Sequence, residues 1–336
     1  MGGNIFTSTH NTVRLSRSDM NTVSERLHSL MSRLRIPIID IPAYAYKDSF
    51  GDLDVVAVTD GYCLYKQLRE WWPDDRVSQN GNVISFLMEV EFTEPKEYFQ
   101  CDIICFPTKE QARTAAHYFA YNDLGNLIGR LYHSIGFKYG HDGLSYVRRD
   151  GDYQVYTMPI STDINKILTV IGLDPMKFTY GFHTLEEIFE YVASSPYYHP
   201  DIYLLENRNH TSRVRDRKRK TYMEFVKWSE SHPLAGTEYT KPVKSYYLFM
   251  VLDHFEPMRV EYYRLEDEYK IAKTCKGLLN GEIVGRITGL QGVDLGKFMK
   301  KLRVLLPNDD IYQKESEDVE YLIKLVHDTS KLFTSS

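Results

Sequence analysis

The sequence predicts an α+β fold, a mixed β-sheet with helices on one face followed by a mostly helical C-terminal half. Two observations predict it. β-Branched and aromatic runs cluster at 53–58, 83–92 and 98–106, and such runs bounded by turn residues read as strands. After about residue 160 the apolar residues recur at helical spacing instead.

The elements follow in order. Residues 1–18 are polar and patternless, which predicts a flexible tail. Val23, Leu27, Leu30, Met31 and Leu34 then mark a helix, with Asn21 or Ser24 as its cap. Pro37 and Pro42 keep 36–42 extended. The strand at 53–58 leads to a short helix at 61–71, and a turn at 94–97 joins the strands 83–92 and 98–106. Helices are expected at 108–121 and 123–136, and a hairpin over 144–158 around Asp150, Gly151 and Asp152. Beyond it, 162–171 reads as a helix stopped by Gly172 and Pro175, and 184–194 as one opened by the Thr184–Glu187 capping box. One strongly charged helix is expected over 203–230. The C-terminal part holds an apolar segment at 246–252, a charged helix at 258–273, a glycine-rich stretch at 277–296 and a final helix at 316–333. The chain therefore divides into a tail (1–18), a sheet domain (19–160), a helical region with a basic helix (161–235) and a mostly helical C-terminal domain (236–336).

Composition narrows the function. Lys plus Arg is 41 against 46 Asp plus Glu, a net charge of −5 in 336 residues. That excludes a uniformly basic coat but not a local basic patch. Cys63, Cys101, Cys105 and Cys275 form no C-x-x-C pair, so neither a disulfide framework nor a zinc knuckle is expected. No apolar run approaches the ~20 residues of a membrane helix. A soluble cytoplasmic protein with reduced cysteines is the expectation.

The chemistry-bearing segment is 47–58. Asp52 and Asp54 are two apart on a strand, so their side chains leave from one face. Asp102 stands between apolar neighbours in a later strand; if the two strands pair, three carboxylates converge. Oxygen-only ligands select magnesium or manganese over zinc. Two such ions about 3.5–4 Å apart activate a hydroxyl and bridge a triphosphate. Gly51, without a Cβ, allows close approach of backbone N–H groups to a phosphate. Glu89 and Glu91 are also two apart, but no glycine turn precedes them, and they read as a solvated face.

This pattern resembles the DNA polymerase beta-like nucleotidyltransferase superfamily, whose mark is a D-x-D strand after a glycine turn and a third Asp on a neighbouring strand. The likeness to family X polymerases continues from Asp102 through a helix to the 118–126 segment, then over 136–146, and to a thumb-like helix at 184–190, covering roughly 36–200. It implies a palm in which Asp52, Asp54 and Asp102 bind two Mg2+ or Mn2+ ions and Asp102 helps activate the attacking hydroxyl. It implies too that Tyr118 and Phe119 flank the sugar and that Asp123 and Asn126 lie near the base. The sequence departs from the family where a Gly-Ser turn and triphosphate-binding arginines are usual. Here 41–46 reads IPAYAY, which leaves Ser49, Gly51 and Lys47 as phosphate contacts. A minimal palm before an unfamiliar helical half also resembles predicted nucleotidyltransferases of bacteriophages.

Two further segments point to nucleic acid. Residues 208–220 hold seven Lys or Arg in thirteen positions, among them Arg213, Arg215, Arg217, Lys218, Arg219 and Lys220. Such a block binds phosphates with release of counterions. Gly289 and Gly292, followed by a helix bearing Lys297, would aim N–H groups and cations at a phosphate. That stretch resembles the glycine-rich element of CCA-adding enzymes and, more loosely, a helix-hairpin-helix. The expected activity is transfer of NMP or dNMP from an NTP or dNTP to a nucleic-acid 3′-hydroxyl, with release of pyrophosphate. The glycine element favours an RNA acceptor such as a tRNA 3′ end; templated DNA synthesis is the close second. The alternatives are a catalytically inactive nucleic-acid-binding protein on the same scaffold, and transfer to a small molecule or protein.

Overall fold

The computed structural model describes residues 4–91, 93, 95–232, 239–240, 242–278, 280–305 and 317–334. They form two units, residues 1–256 and 257–336.

In the first unit, α1 (Arg17–Arg33) buries Val23, Leu27, Leu30 and Met31 and is capped by Ser16, earlier than Asn21 or Ser24. Next come β1 (Ile38–Asp40), β2 (Asp52–Val58), α2 (Gly61–Trp71), β3 (Val77–Asn80), β4 (Val83–Glu89) and β5 (Tyr98–Phe106). They build a mixed five-stranded sheet in the order β1-β2-β5-β4-β3, with β2 parallel to β5 and the other pairs antiparallel. The turn expected at 94–97 lies partly outside the described residues.

Every residue of β5 is buried, which requires cover on both faces. α1 and α2 cover the face that carries Val55, Ala57 and Ile103. α3 (Lys109–Phe119) covers the face of Val56, Ile104 and Phe106 through Ala112, Ala115 and Ala116. Helices thus lie on both faces, where one was expected.

Residues 4–18 are not a free tail. Phe6 is buried beside Leu87 and Tyr98. Thr12 bridges to Tyr98 and Leu15 to Phe50 through backbone hydrogen bonds. Two apolar anchors and two bridges hold the segment against the sheet, a tertiary effect that a polar composition hides.

After α3 come α4 (Leu124–Ser134), β6 (Phe137–Gly140), β7 (Gly143–Asp150) and β8 (Tyr153–Ser161), the last three forming an antiparallel sheet. Then follow α5 (Ile164–Val170), α6 (Pro175–Tyr180) and α7 (Leu185–Ala193). α5 stops before Gly172 (φ 70°), as expected, and Pro175 then opens α6, where its missing N–H costs nothing at the first helical position.

The single helix expected over 203–230 is replaced by 3-10 turns at Pro200–Ile202 and Leu205–Asn207, then α8 (His210–Arg217) and α9 (Lys220–Ser231). The chain turns at Lys218 and at Arg219, which is extended (φ −90°, ψ 108°). A buried Arg208–Asp216 ion pair at 2.6 Å ties α8 to the segment before it. α10 (Lys244–Asp253) buries Leu248, Val251 and Leu252, and Met250 meets the Tyr197 hydroxyl at 3.0 Å. It therefore belongs to the first unit, and the boundary falls at 256/257 rather than 235/236.

The second unit carries α11 (Glu256–Leu278) and three helices, α12 (Gly281–Thr288), α13 (Gly292–Leu305) and α14 (Glu317–Thr334), that pack around Val284, Phe298, Leu302 and Val326. Among the described residues no helix is long and apolar enough to cross a membrane.

Candidate active site

The parallel β2–β5 ladder sets Asp54 opposite Asp102 and Asp52 opposite Gln100. Alternation along each strand puts the three aspartates on one face, and their carboxylate oxygens lie within 4.8 Å of one another. The convergence follows from pairing: a residue slip in this ladder would turn Asp102 to the opposite face.

Asp102 is buried, with 9% exposure. The buried Gln100 donates from Nε2 to both of its oxygens at 2.9 Å, and Ser85, its partner across the β4–β5 pair, adds a hydrogen bond. Burial nonetheless raises the Asp102 carboxyl from 3.8 to about 6; the Ser85 and Gln100 bonds pull it down and Asp52 pushes it up. Asp54 sits deep among protein atoms in a cleft that solvent enters. Burial, then the charges of Asp52 and Asp102, hold its carboxyl well above the ordinary range, against the pull of Lys47. Burial lowers the Lys47 ammonium, and Asp52 and Asp54 counter it. Three crowded carboxylates with oxygen-only donors suit a hard divalent cation, which relieves their repulsion. Mg2+ and Mn2+ fit this donor set.

The loop before β2 forms the next wall. Lys47 donates to Asn122 Oδ1 at 3.3 Å and its ammonium stands 4.7 Å from the Phe50 ring centroid. Ser49 accepts from Arg14 twice, at Oγ (2.8 Å) and at its carbonyl (3.0 Å). Arg17 donates to the Tyr44 carbonyl at 2.8 Å and lies 5.2 Å from the Phe50 ring. Arginines therefore do reach this loop, contrary to expectation. They come from a segment without any periodic signal, so only the fold reveals them.

Lys47, Ser49, Gly51, Asp52 and Asp54 line a cleft of about 1090 Å³, while Asp102 lies beside the pair but outside that lining. Arg215, Lys218, Arg219 and Lys220, at the α8–α9 corner, line the same cleft. Arg219 pairs with Asp123, which is also a lining residue. A second cavity of about 520 Å³ reaches Asp52 and Asp54 too, and Phe119 and Asn122 are in its wall. Asn122 borders both cavities; it and Tyr121 hold positive φ (62° and 55°), a strained turn for non-glycine residues. Nothing in the sequence marked Asn122 or Arg14 beforehand.

Other expected residues stand elsewhere. Tyr118 packs edge-on against Phe119 and Tyr139, each at 5.4 Å, and does not line either cavity. Asn126 is buried on α4, also outside both linings. Tyr118 is held in the aromatic packing of α3 against β6, away from both cavities. Arg213 turns back to the Arg208 carbonyl at 3.0 Å. Arg217 lines a separate surface groove with Lys218 and Lys220. Gly289 (φ 73°) ends α12, Gly292 (φ 54°) opens α13 and Lys297 lies on α13, all within the second unit. The glycine-rich stretch is thus two helices joined by a tight turn.

No protein-family model matches the chain, and no curated protein matches it in sequence.

Proposed function

We propose that this protein is a metal-dependent nucleotidyltransferase, moving NMP or dNMP from a nucleoside triphosphate to a nucleic-acid 3′-hydroxyl. One observation carries the proposal: Asp52 and Asp54, clustered with Asp102, line a cleft that Arg215, Lys218, Arg219 and Lys220 also line. An acidic cluster alone suits a cation. Joined to Arg215, Lys218, Arg219 and Lys220, it suits a cation together with a polyphosphate. The likeness of this arrangement to the polymerase beta-like palm supports the same assignment.

Asp52, Asp54 and Asp102 would hold the Mg2+ or Mn2+ ions, which supply charge stabilisation to the attacking and leaving oxygens of an in-line displacement. Lys47 and the α8–α9 cations bind the polyphosphate and orient it. Asp102, ionised at neutral pH, accepts the proton of the acceptor hydroxyl at a carboxylate oxygen. The new bond joins that hydroxyl oxygen to the α-phosphorus, the bond from the α-phosphorus to the β-bridging oxygen breaks, and pyrophosphate leaves. The free cysteines among the described residues, Cys63, Cys101 and Cys105, suit a reducing cytoplasm.

A second function has its own observation. The N–H groups of Ala45 and Tyr46 donate to the carbonyls of Phe182 and His183 at 2.8 Å, and that of Lys47 to Tyr44 at 3.1 Å. They are occupied where a Gly-Ser turn would offer free donors to phosphate. This favours a nucleic-acid-binding protein that has lost turnover. Labelled NTPs and dNTPs, each with Mg2+ or Mn2+ and RNA or DNA primers, decide between the two. The proposal expects primer extension that Asp54→Ala abolishes; salt-sensitive primer binding without extension supports the inactive scaffold.

A further inference from the structure

Gln100 is a fully enclosed amide, 2% exposed, in the middle of β5. An uncharged polar side chain at such a place needs partners for its donors and acceptor. Its Oε1 accepts the backbone N–H of Ile5 at 3.1 Å. Its Nε2 donates to both oxygens of Asp102 at 2.9 Å, and its backbone is paired with Asp52 across the ladder. An amide can be turned end for end, and here one contact settles the orientation. The Ile5 N–H can be met only by the oxygen, so the NH2 group must face the carboxylate; the reverse orientation would set two acceptors against each other and leave a donor facing a donor.

We propose that Gln100 is a positioning residue for the carboxylate cluster, and that the N-terminal segment sets its orientation through the Ile5 N–H. This rests on Asp52, Asp54 and Asp102 being the metal ligands. The segment is held for the task by Phe6 in its apolar pocket and by the Thr12 and Leu15 bridges. Gln100 fixes the rotamer of Asp102, so the three carboxylates need not reorganise when a cation arrives. Partners of this kind, one step removed from a metal, change affinity by about 10–100-fold when lost.

The test is Mn2+ binding by electron paramagnetic resonance with the full chain and Mn2+ alone. Gln100→Met keeps the length and removes the donor; a loss of Mn2+ affinity of about 10–100-fold is expected. Ile5→Pro deletes one N–H, and Ile5→Ala keeps it. Ile5 is half exposed, so both variants are expected to fold. A roughly fivefold loss is expected for the proline, the value of one hydrogen bond, and none for the alanine. With nucleotide and primer, the Mn2+ concentration for half-maximal rate rises in Gln100→Met and Ile5→Pro and saturating Mn2+ restores most of the rate, a pattern that a general loss of folded protein does not produce. Should Gln100→Met fail to fold, the Ile5 pair decides. Mn2+ affinity within about twofold of wild type in a folded Gln100→Met protein, or equal effects of Ile5→Pro and Ile5→Ala, overturns the proposal. Wild-type protein that binds no Mn2+ overturns the metal assignment instead.

Discussion

Asp54 and Asp102 are direct partners across the parallel β2–β5 pair, so two carboxylates 48 positions apart in the chain become neighbours by strand register alone. Like charges opposite each other in a ladder are destabilising. The arrangement carries a cost that a bound cation would offset.

The first prediction concerns activity. Asp54→Asn removes one of the three ligands and lowers nucleotide transfer by about 10³-fold, the rate equivalent of several kcal/mol of lost transition-state stabilisation. Single-turnover extension of a labelled primer measures it, and activity within about tenfold of wild type would contradict the ligand role.

The second concerns pH. Asp102 is raised from 3.8 to about 6 in the folded chain, so the fold binds its proton more tightly than the unfolded chain does. The protonated carboxyl's contribution is complete below pH 3.8 and is lost as pH rises through 6, a loss of about 3 kcal/mol. In EDTA, Asp102→Asn should melt above wild type at about pH 7.5 and close to it at about pH 4. Added Mn2+ should raise the wild-type Tm at the higher pH and leave the variant nearly unmoved. Thermal melts at the two pH values check both statements.

The third concerns the α8–α9 corner. Replacing Arg215, Lys218 and Lys220 with Gln leaves the sheet and its carboxylates untouched. Mn2+ binding should persist while nucleotide or primer binding weakens at least about tenfold, each charge-assisted hydrogen bond being worth about 1.5–3 kcal/mol. If primer is the ligand, the slope of log affinity against log salt should shrink by about 0.7 for each phosphate no longer neutralised. If the triphosphate is, KM for NTP should rise and the salt slope for primer should hold. Unchanged behaviour on both counts would favour a small-molecule or protein acceptor.

The fourth concerns what holds that corner. Asp216 is fully buried against Arg208. Arg208→Met removes the buried partner of Asp216, leaves it only the half-exposed Arg215 at 3.1 Å, and should destabilise the chain by about 1–3 kcal/mol. Adding Asp216→Leu should restore much of that stability. Denaturant titration of the single and double variants reads both effects.

The legible parts of the molecule were those with local causes. α2 and β5 match their expected ranges because Asp60 caps the first and a run of aromatic and β-branched residues marks the second. The aspartate trio was legible because an i, i+2 pair on a strand has one geometry. The short β3 and β6 were not anticipated; four residues carry too little periodicity to read. Arg14, Asn122 and Gln100 gave no signal, since each acts through partners far away in the chain: Ser49, Lys47 and Ile5. The basic block carries no signal of its division, because charge reports composition and not direction. The buried Arg208–Asp216 pair and the turn at Lys218 and Arg219 divide it, and that division brings Arg215, Lys218, Arg219 and Lys220 to the cleft.

The proposed activity requires the carboxylate cluster to hold divalent ions beside a polyphosphate. The most direct test counts Mn2+ per chain by electron paramagnetic resonance, with and without a non-hydrolysable NTP analogue. Two bound ions with the analogue, reduced to one or none in Asp52→Ala, are the predicted result. Mn2+ uptake that ignores the analogue and survives Asp52→Ala would contradict it.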